Sequence, residues 1–325
     1  MYQWPRWASG TVGSIARKYD RRLPASIAVI VLALLAGAMS GCSSNLNHGP
    51  TVAATTGIWA DVTANVVGPD AAVEQIIPDG VSPHEFQLSA KDRARAEDSL
   101  LLVYNGADLE AGIPIDDMNV PKFAMADHVG PLRHFGGPGS REHPTADEGD
   151  QGGIDPHVWM DPTRVEAALP ALADALAKVD PQHAAGYRAR AAAYARKLEA
   201  LDAWMRKTLA AVPPQNRKLV TSHDALGYFA DRFGFQVIAT PFPATGPEAE
   251  ASAQTVDEVE QAIRDSGVPT VFAQETDNPQ VLEGIADDTG VRIEEHLPVE
   301  APGDAGTYIG MLRRDAEMIA SGLRG

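Results

Sequence analysis

The stretch from residue 181 to about 212 limits the folds open to this chain more than any other, because it is dense in Ala, Leu, Arg, Lys and Glu and carries no breaker after Gly186. Asp180-Pro181 opens it and Pro213-Pro214 closes it, so the spacing predicts one helix of roughly 45 Å at about 1.5 Å per residue. Such a helix equals or exceeds the diameter of a small domain. It either lies along one lobe as an ordinary amphipathic helix or joins two lobes. The second arrangement is the expectation, because strands and helices alternate on both sides of it. A chain of 325 residues is also longer than the roughly 250–300 at which single cores stop growing.

Before the long helix, residues 51–56 read as a strand, 58–67 as a helix with apolar positions at Ile58, Val62 and Val66, and 72–77 as a second strand closed by the turn Pro78-Asp79-Gly80. Ser89-Ala90-Lys91-Asp92 reads as a capping box for a helix through Ala96, and the apolar run 100–104 as a buried parallel strand. Beyond Pro162, the residues Val165, Ala168, Leu169, Leu172 and Leu176 keep helical spacing, although Pro170 is expected to bend or split that helix. After the long helix, 218–221, 236–240, 270–273 and 291–295 read as strands, with helices at 225–233 and 307–323 and a further one capped by Thr255. The pattern is α/β and layered. It gives a first lobe at 51–180, a connecting helix at 181–212 and a second lobe at 213–325.

Residues 1–41 stand apart from that fold. Arg17, Lys18, Arg21 and Arg22 lead into an apolar run at 25–39 and then Ser40-Gly41-Cys42, which reads as a signal peptide with a lipoprotein-like cleavage site before Cys42. The apolar run is shorter than the roughly 20 residues a membrane-spanning helix needs, so an uncleaved anchor is the lesser alternative. Residues 42–50 then form a lipidated tether. Cys42 is the single cysteine, so no disulfide supports the fold and no thiolate is available as a ligand or nucleophile. Without residues 1–41, 22 Lys and Arg stand against 43 Asp and Glu, a formal net charge of −21. Nucleic acid and anionic headgroups are poor partners for such a surface, and a cation is a natural one.

Three histidines occupy loops between probable strands and helices: Ser82-Pro83-His84, Asp155-Pro156-His157-Val158-Trp159-Met160-Asp161-Pro162, and Ser222-His223-Asp224. In the second, each proline fixes its own φ and keeps the preceding residue out of the helical region, so His157 sits on a stiff loop that the following helix positions. A lone loop histidine is as often structural as functional. Three on separate loops are able to converge on one ion. Residues 128–153 lose all periodicity and hold His134 and His143 among Glu142, Asp147, Glu148 and Asp150; they read either as a mobile, weakly metal-collecting loop or as a solvated insertion. Glu85 and Asp224, each next to one of the three histidines, read as solvated or helix-starting acids. Trp159 and Tyr228 read as core or cleft-wall residues.

These stretches, together with Tyr104-Asn105-Gly106-Ala107-Asp108-Leu109-Glu110, resemble the zinc and manganese solute-binding lipoproteins of bacterial ABC importers, from residue 51 to 323 and with four motifs in the same order. The resemblance implies two βα-sandwich, Rossmann-like lobes bridged by one long helix, with a metal in the cleft between them. It implies His84 and His157 as ligands from the first lobe and His223 from the second, where manganese-type members carry glutamate. It places Glu300 at the position of the fourth ligand, an aspartate in the family, with Asp304 or water as substitutes. It also implies acylation of Cys42, an extracytoplasmic location at the cell membrane, and an ABC permease as partner. No reaction is expected, and nothing points to an oligomer. Three neutral imidazoles suit zinc, with manganese the close alternative, and their affinity is expected to fall as pH drops through the imidazole range. A zinc hydrolase is the rival enzyme reading, but His-Glu-x-x-His is absent. An adhesin or other surface-interaction lipoprotein is the rival without metal chemistry. Glu275, at the end of a strand, reads as a partner in an ion pair that stabilises its lobe.

Overall fold

The strand β1 (Thr51–Ala54) is buried on both faces because it runs parallel between two neighbours, which explains a run with no polar alternation at Val52, Ala53 and Ala54. The computed structural model that contains it describes residues 50–135, 153–242, 252–275 and 280–324. Cys42 with its leader, and the part of the acidic loop at 136–152, lie outside the described residues.

In the first lobe, β1, β2 (Ala72–Gln75), β3 (Leu102–Tyr104) and β4 (Lys122–Ala124) form a parallel sheet in the order β2-β1-β3-β4. Helices α1 (Gly57–Val67) and α2 (Ala90–Glu97) make the crossovers. Both begin where the sequence offers an oxygen: Thr56 accepts from the Trp59 amide at 3.3 Å and Ser89 from the Asp92 amide at 3.1 Å. The second lobe contains β5 (Lys218–Val220), α5 (Gly227–Phe233), β6 (Gln236–Ala239), α6 (Ala253–Ser266), β7 (Thr270–Gln274), α7 (Gln280–Thr289), β8 (Arg292–Leu297) and α8 (Tyr308–Leu323). The parallel pairs β5-β6 and β7-β8 meet through a parallel bridge between Thr221 and Phe272. The resulting order, β6-β5-β7-β8, repeats that of the first lobe.

Between the lobes run α3 (Pro162–Val179) and α4 (Ala184–Leu209). Asp161 caps α3, its Oδ1 accepting from the Thr163 amide at 2.9 Å. Pro170 does not split α3. It lies on the exposed face, where water can serve the Glu166 carbonyl that proline leaves without a donor. The long helix is shorter than its sequence signature: a 3₁₀ turn occupies Pro181–His183, and α4 ends four residues before Pro213. Its 26 residues still span about 39 Å.

Helix α4 is tied at both ends. Arg190 donates to the carbonyls of Val66 and Val67 at 2.8 and 2.7 Å, holding the end of α1, while Asp202 accepts from Arg232 of α5 at 2.8 Å. Tyr187, Ala191, Tyr194, Leu198, Leu201, Met205 and Leu209, three or four apart, form its buried stripe. They belong to one hydrophobic core that runs without a break from Trp59 of the first lobe to Phe229 and Ile319 of the second. The far face of each sheet has its own smaller cluster, Ile76 with Leu102 in one lobe and Val271 with Leu282 in the other. Helix α6 starts three residues earlier than the Thr255 motif places it, because Ser252 is the cap and the Thr255 amide is the group it satisfies, at 3.0 Å. No described helix is long and apolar enough to cross a membrane.

Candidate metal centre

Each loop at the carboxyl end of a strand is fixed by backbone hydrogen bonds before it presents a side chain. After β2, Gly80 takes φ of +80°, a left-handed turn residue, and the chain doubles back through Ser82 to His84. After β5, the His223 carbonyl accepts from Thr221 Oγ1 at 2.8 Å and from Gln274 Nε2 at 2.9 Å, so two strands of the second lobe hold this loop. Register shifts in both strand pairs of that lobe lie beside it, between Leu219 and Val220 and between Phe272 and Gln274. The His157 loop contains a 3₁₀ turn at Val158–Met160 that leads into Asp161 and α3. Beyond β8, Val299 and Glu300 are buried on an irregular segment.

These four loops bring His84, His157, His223 and Glu300 together, with one ligand atom of each within 4.8 Å of all the others. His157 Nε2 is 3.2 Å from the Nε2 atoms of both His84 and His223, and Glu300 Oε1 is 3.7 and 3.9 Å from those two. A tetrahedral ion with bonds of about 2.0–2.1 Å to nitrogen has ligand separations of about 3.3–3.4 Å, which the imidazole spacing approaches. Asp304 is not part of the cluster. It lines a cavity of about 330 Å³ with Asp79, Glu275 and Glu300, so the negative charge beside the centre is carried by four carboxylates. Glu275 lies there against Gly303, and among the described residues it forms no ion pair.

Burial sets the electrostatics. It lowers the pKa of His157 to about 3 and, with the neighbouring His157 ring, that of His84 to about 3 as well; His223 is pushed well below its usual value by burial and by the other two imidazoles. At neutral pH all three rings are therefore neutral. Their contacts with Glu300 are therefore not ion pairs, and uncharged rings are the state a cation needs.

The tautomer of His157 is set by a residue to which the sequence reading gave no role of its own. Asp155 is fully buried, and its Oδ1 accepts from the His157 backbone amide at 3.0 Å and from Nδ1 at 2.8 Å, leaving the Nε2 lone pair directed at the centre. Burial raises the Asp155 pKa to about 6 against the opposing pull of the His157 amide and the Arg133 guanidinium. A carboxylate two residues before a candidate ligand was the available signal. Glu85 is exposed, whereas Asp224 follows its histidine into the core.

Further ties escaped sequence reading. Trp159 Nε1 donates to the Val299 carbonyl at 2.8 Å, which fixes the His157 loop to the segment carrying Glu300, and Tyr308 donates to the Trp159 carbonyl at 2.6 Å. Asn105 donates to the Pro156 carbonyl at 2.9 Å while accepting from Trp59 Nε1 at 3.1 Å. Its loop is strained, with φ positive at Gly106, Ala107 and Asp108, and buried Glu110 holds it by accepting from Thr55 Oγ1 and from the amides of Asn105 and Gly106. The segment that loses its periodicity at His128 is likewise built into the fold at its start: His128 stacks on Phe123, and His134 bridges Ile154.

Residues 52–322 match the family described as zinc-uptake complex component A, periplasmic. The chain belongs to that family. Within this zinc-uptake component A family, it is 31% identical over 281 residues to the iron-binding protein YfeA of Yersinia pestis, covering 83% of this chain and 85% of the relative. It is 27% identical over 310 residues to the manganese-binding lipoprotein MntA of Halalkalibacterium halodurans, covering 92% and 97%. The structure of the periplasmic zinc-binding protein TroA of Treponema pallidum superposes with a TM-score of 0.74 at 26% identity, covering 84% of this chain and 99% of that one. The chain is thus a metal-binding component of a metal-uptake system, with the α/β two-lobe fold of that family.

Proposed function

We propose that this chain captures zinc outside the cytoplasm, with His84, His157, His223 and Glu300 as ligands, and hands it to an ABC-type permease while tethered through an acylated Cys42. The observation that carries the reading is the convergence of three imidazole Nε2 atoms and one carboxylate within 4.8 Å. Three neutral nitrogens and one oxygen suit tetrahedral zinc, whereas manganese favours a higher share of oxygen and more ligands. One chain supplies all four donors, which supports action as a monomer. Lobes at 51–180 and 213–325 with α4 as strut fit this reading, since each contributes two donors. The acidic surface favours cation capture over any polyanionic partner.

Manganese is the second reading, favoured by the match to MntA across 92% of the chain. Competitive binding of zinc, manganese and iron to the soluble chain from Ser43 onward, beside His223→Glu, separates the two. The expected result is one zinc bound in preference to the other ions, with the variant shifted toward manganese. A parent that prefers manganese selects the second reading. A parent that binds no ion, or a variant indistinguishable from it, removes the assigned centre and leaves a metal-independent surface interaction.

A further inference from the structure

Behind the centre, Asp155 is held from the side opposite His157. Its Oδ2 accepts from Arg133 Nη1 at 3.3 Å, and the two residues are also joined through the backbone, the Asp155 amide donating to the Arg133 carbonyl at 2.9 Å. Arg133 is itself buried, and its Nε reaches Asp231 of α5 at 3.1 Å. Tyr228, also on α5, donates to the Asp155 carbonyl at 2.9 Å and accepts from the Arg133 amide at 2.9 Å. The guanidinium and the carboxylate lie so close to Gly227, the first residue of α5, that a Cβ there would stand 2.4 Å from Arg133 Nη1 and 2.5 Å from Asp155 Oδ2.

We infer that Arg133 is a positioning residue for metal capture: its guanidinium aligns Asp155, and through it the His157 ring, with the second-lobe helix that follows His223. The forked geometry is what the role requires. One nitrogen holds the carboxylate that orients a first-lobe donor, another holds a carboxylate on α5, and α5 begins four residues after the second-lobe donor. Gly227 leaves the space in which the pair can sit. The alignment of donors from the two lobes is therefore set by a bridge about two side chains deep, not by the ligands alone. Residues that orient a ligating histidine typically change metal affinity by about 10–100-fold when removed.

This inference rests on the proposed zinc centre, and its test separates the two. Zinc affinity by chelator competition and the visible d–d spectrum of the cobalt-substituted protein are measured on the full chain in detergent for the parent, His157→Ala, Arg133→Gln, Arg133→Lys, Asp231→Asn and Gly227→Ala. Arg133→Gln should weaken zinc binding about 10–100-fold and change the cobalt spectrum, with Arg133→Lys restoring part of the loss. Gly227→Ala should change the spectrum in the same way, because it displaces the pair without removing a charge. Asp231 has a half-exposed side chain, so Asp231→Asn tests the same bridge if the Arg133 variants do not fold, and a several-fold loss is expected. If His157→Ala loses zinc while Arg133→Gln and Asp231→Asn keep the parent's affinity and cobalt spectrum, Arg133 is a structural ion pair and the inference is overturned alone. If His157→Ala binds like the parent, the centre itself is misassigned and both readings are overturned.

Discussion

Zinc affinity should fall only about tenfold between pH 7 and pH 5, far less than three ordinary histidines would give. An imidazole with the usual pKa of about 6.5 goes from about one quarter protonated at pH 7 to about 97% at pH 5, which costs about 25-fold in competition with a metal; three such rings together cost about 10⁴-fold. Burial lowers His84 and His157 to about 3 and His223 well below its usual value, so above pH 5 almost no proton competes at these rings. Behind the His157 ring, the group that takes up a proton in this range is Asp155. Its pKa is raised to about 6, so as pH falls through that value the carboxylate that accepts from His157 Nδ1 is neutralised, and expelling that proton costs about tenfold between pH 7 and pH 5. The fall in affinity expected from sequence is then carried by the Asp155 carboxylate more than by the imidazoles. The assay is competition against a chelator calibrated at each pH, in buffers that do not coordinate zinc. Asp155→Asn should bind about 10–100-fold more weakly at pH 7 and show a flatter profile. A parent that loses three or more orders of magnitude by pH 5 would refute the reasoning, because its imidazoles would then be titrating as if exposed to water.

Glu110→Gln should destabilise the chain by about 2–3 kcal/mol in urea unfolding, because the carboxamide cannot replace both accepting oxygens and its N–H₂ would face an amide donor of Asn105 or Gly106. An unchanged midpoint would show that the strained Asn105 loop is held by other contacts. Asp315→Leu should stabilise the chain by about 1–3 kcal/mol, since Asp315 is fully buried on α8 and neither carboxylate oxygen has a hydrogen-bond partner among the described residues. Burial raises the Asp315 pKa well above its usual value, so the parent's stability declines as pH rises above the unfolded-state pKa near 4, and the variant's advantage should be larger at pH 8 than at pH 4. A Tm difference that does not change with pH would contradict this.

The alternation of elements was legible because parallel strands buried on both faces leave continuous apolar runs, as at 100–104, and because α4 carries a long stripe with no breaker. The three histidines were legible for a different reason: each lies beside a proline or on the carboxyl end of a strand, where a short loop presents a side chain. Glu300 could be placed only by resemblance, because the segment after β8 has no periodicity to count from. Asp155 carried a signal in its position two residues before His157. Arg133 and the Trp159 link carried none, since their roles come from partners 22 and 140 residues away. Pro170 and Thr255 misled in a local way: exposure removes the cost of a proline, and a serine three residues upstream was the better cap.

The distance between donors along the chain has a physical consequence. His84 and His157 are 73 residues apart, and His157 and His223 are 66 apart, so no two of these candidate ligands share a helix or strand that would fix their relative aim. Parallel sheets direct the carboxyl ends of their strands to one edge, which brings the loops near one another but leaves each free to vary by more than the few tenths of an ångström that tetrahedral chelation tolerates. The remaining precision is supplied by bonds behind the ligands: Gln274 to the His223 carbonyl, Asn105 to the Pro156 carbonyl, and Trp159 to the Val299 carbonyl. The last joins the two lobes beside the centre, and α4 joins them along the shared core. A centre assembled in this way is stiff where the donors are held and acidic where the ion arrives. Single substitutions behind the ligands should therefore weaken capture of the ion well before they unfold the chain.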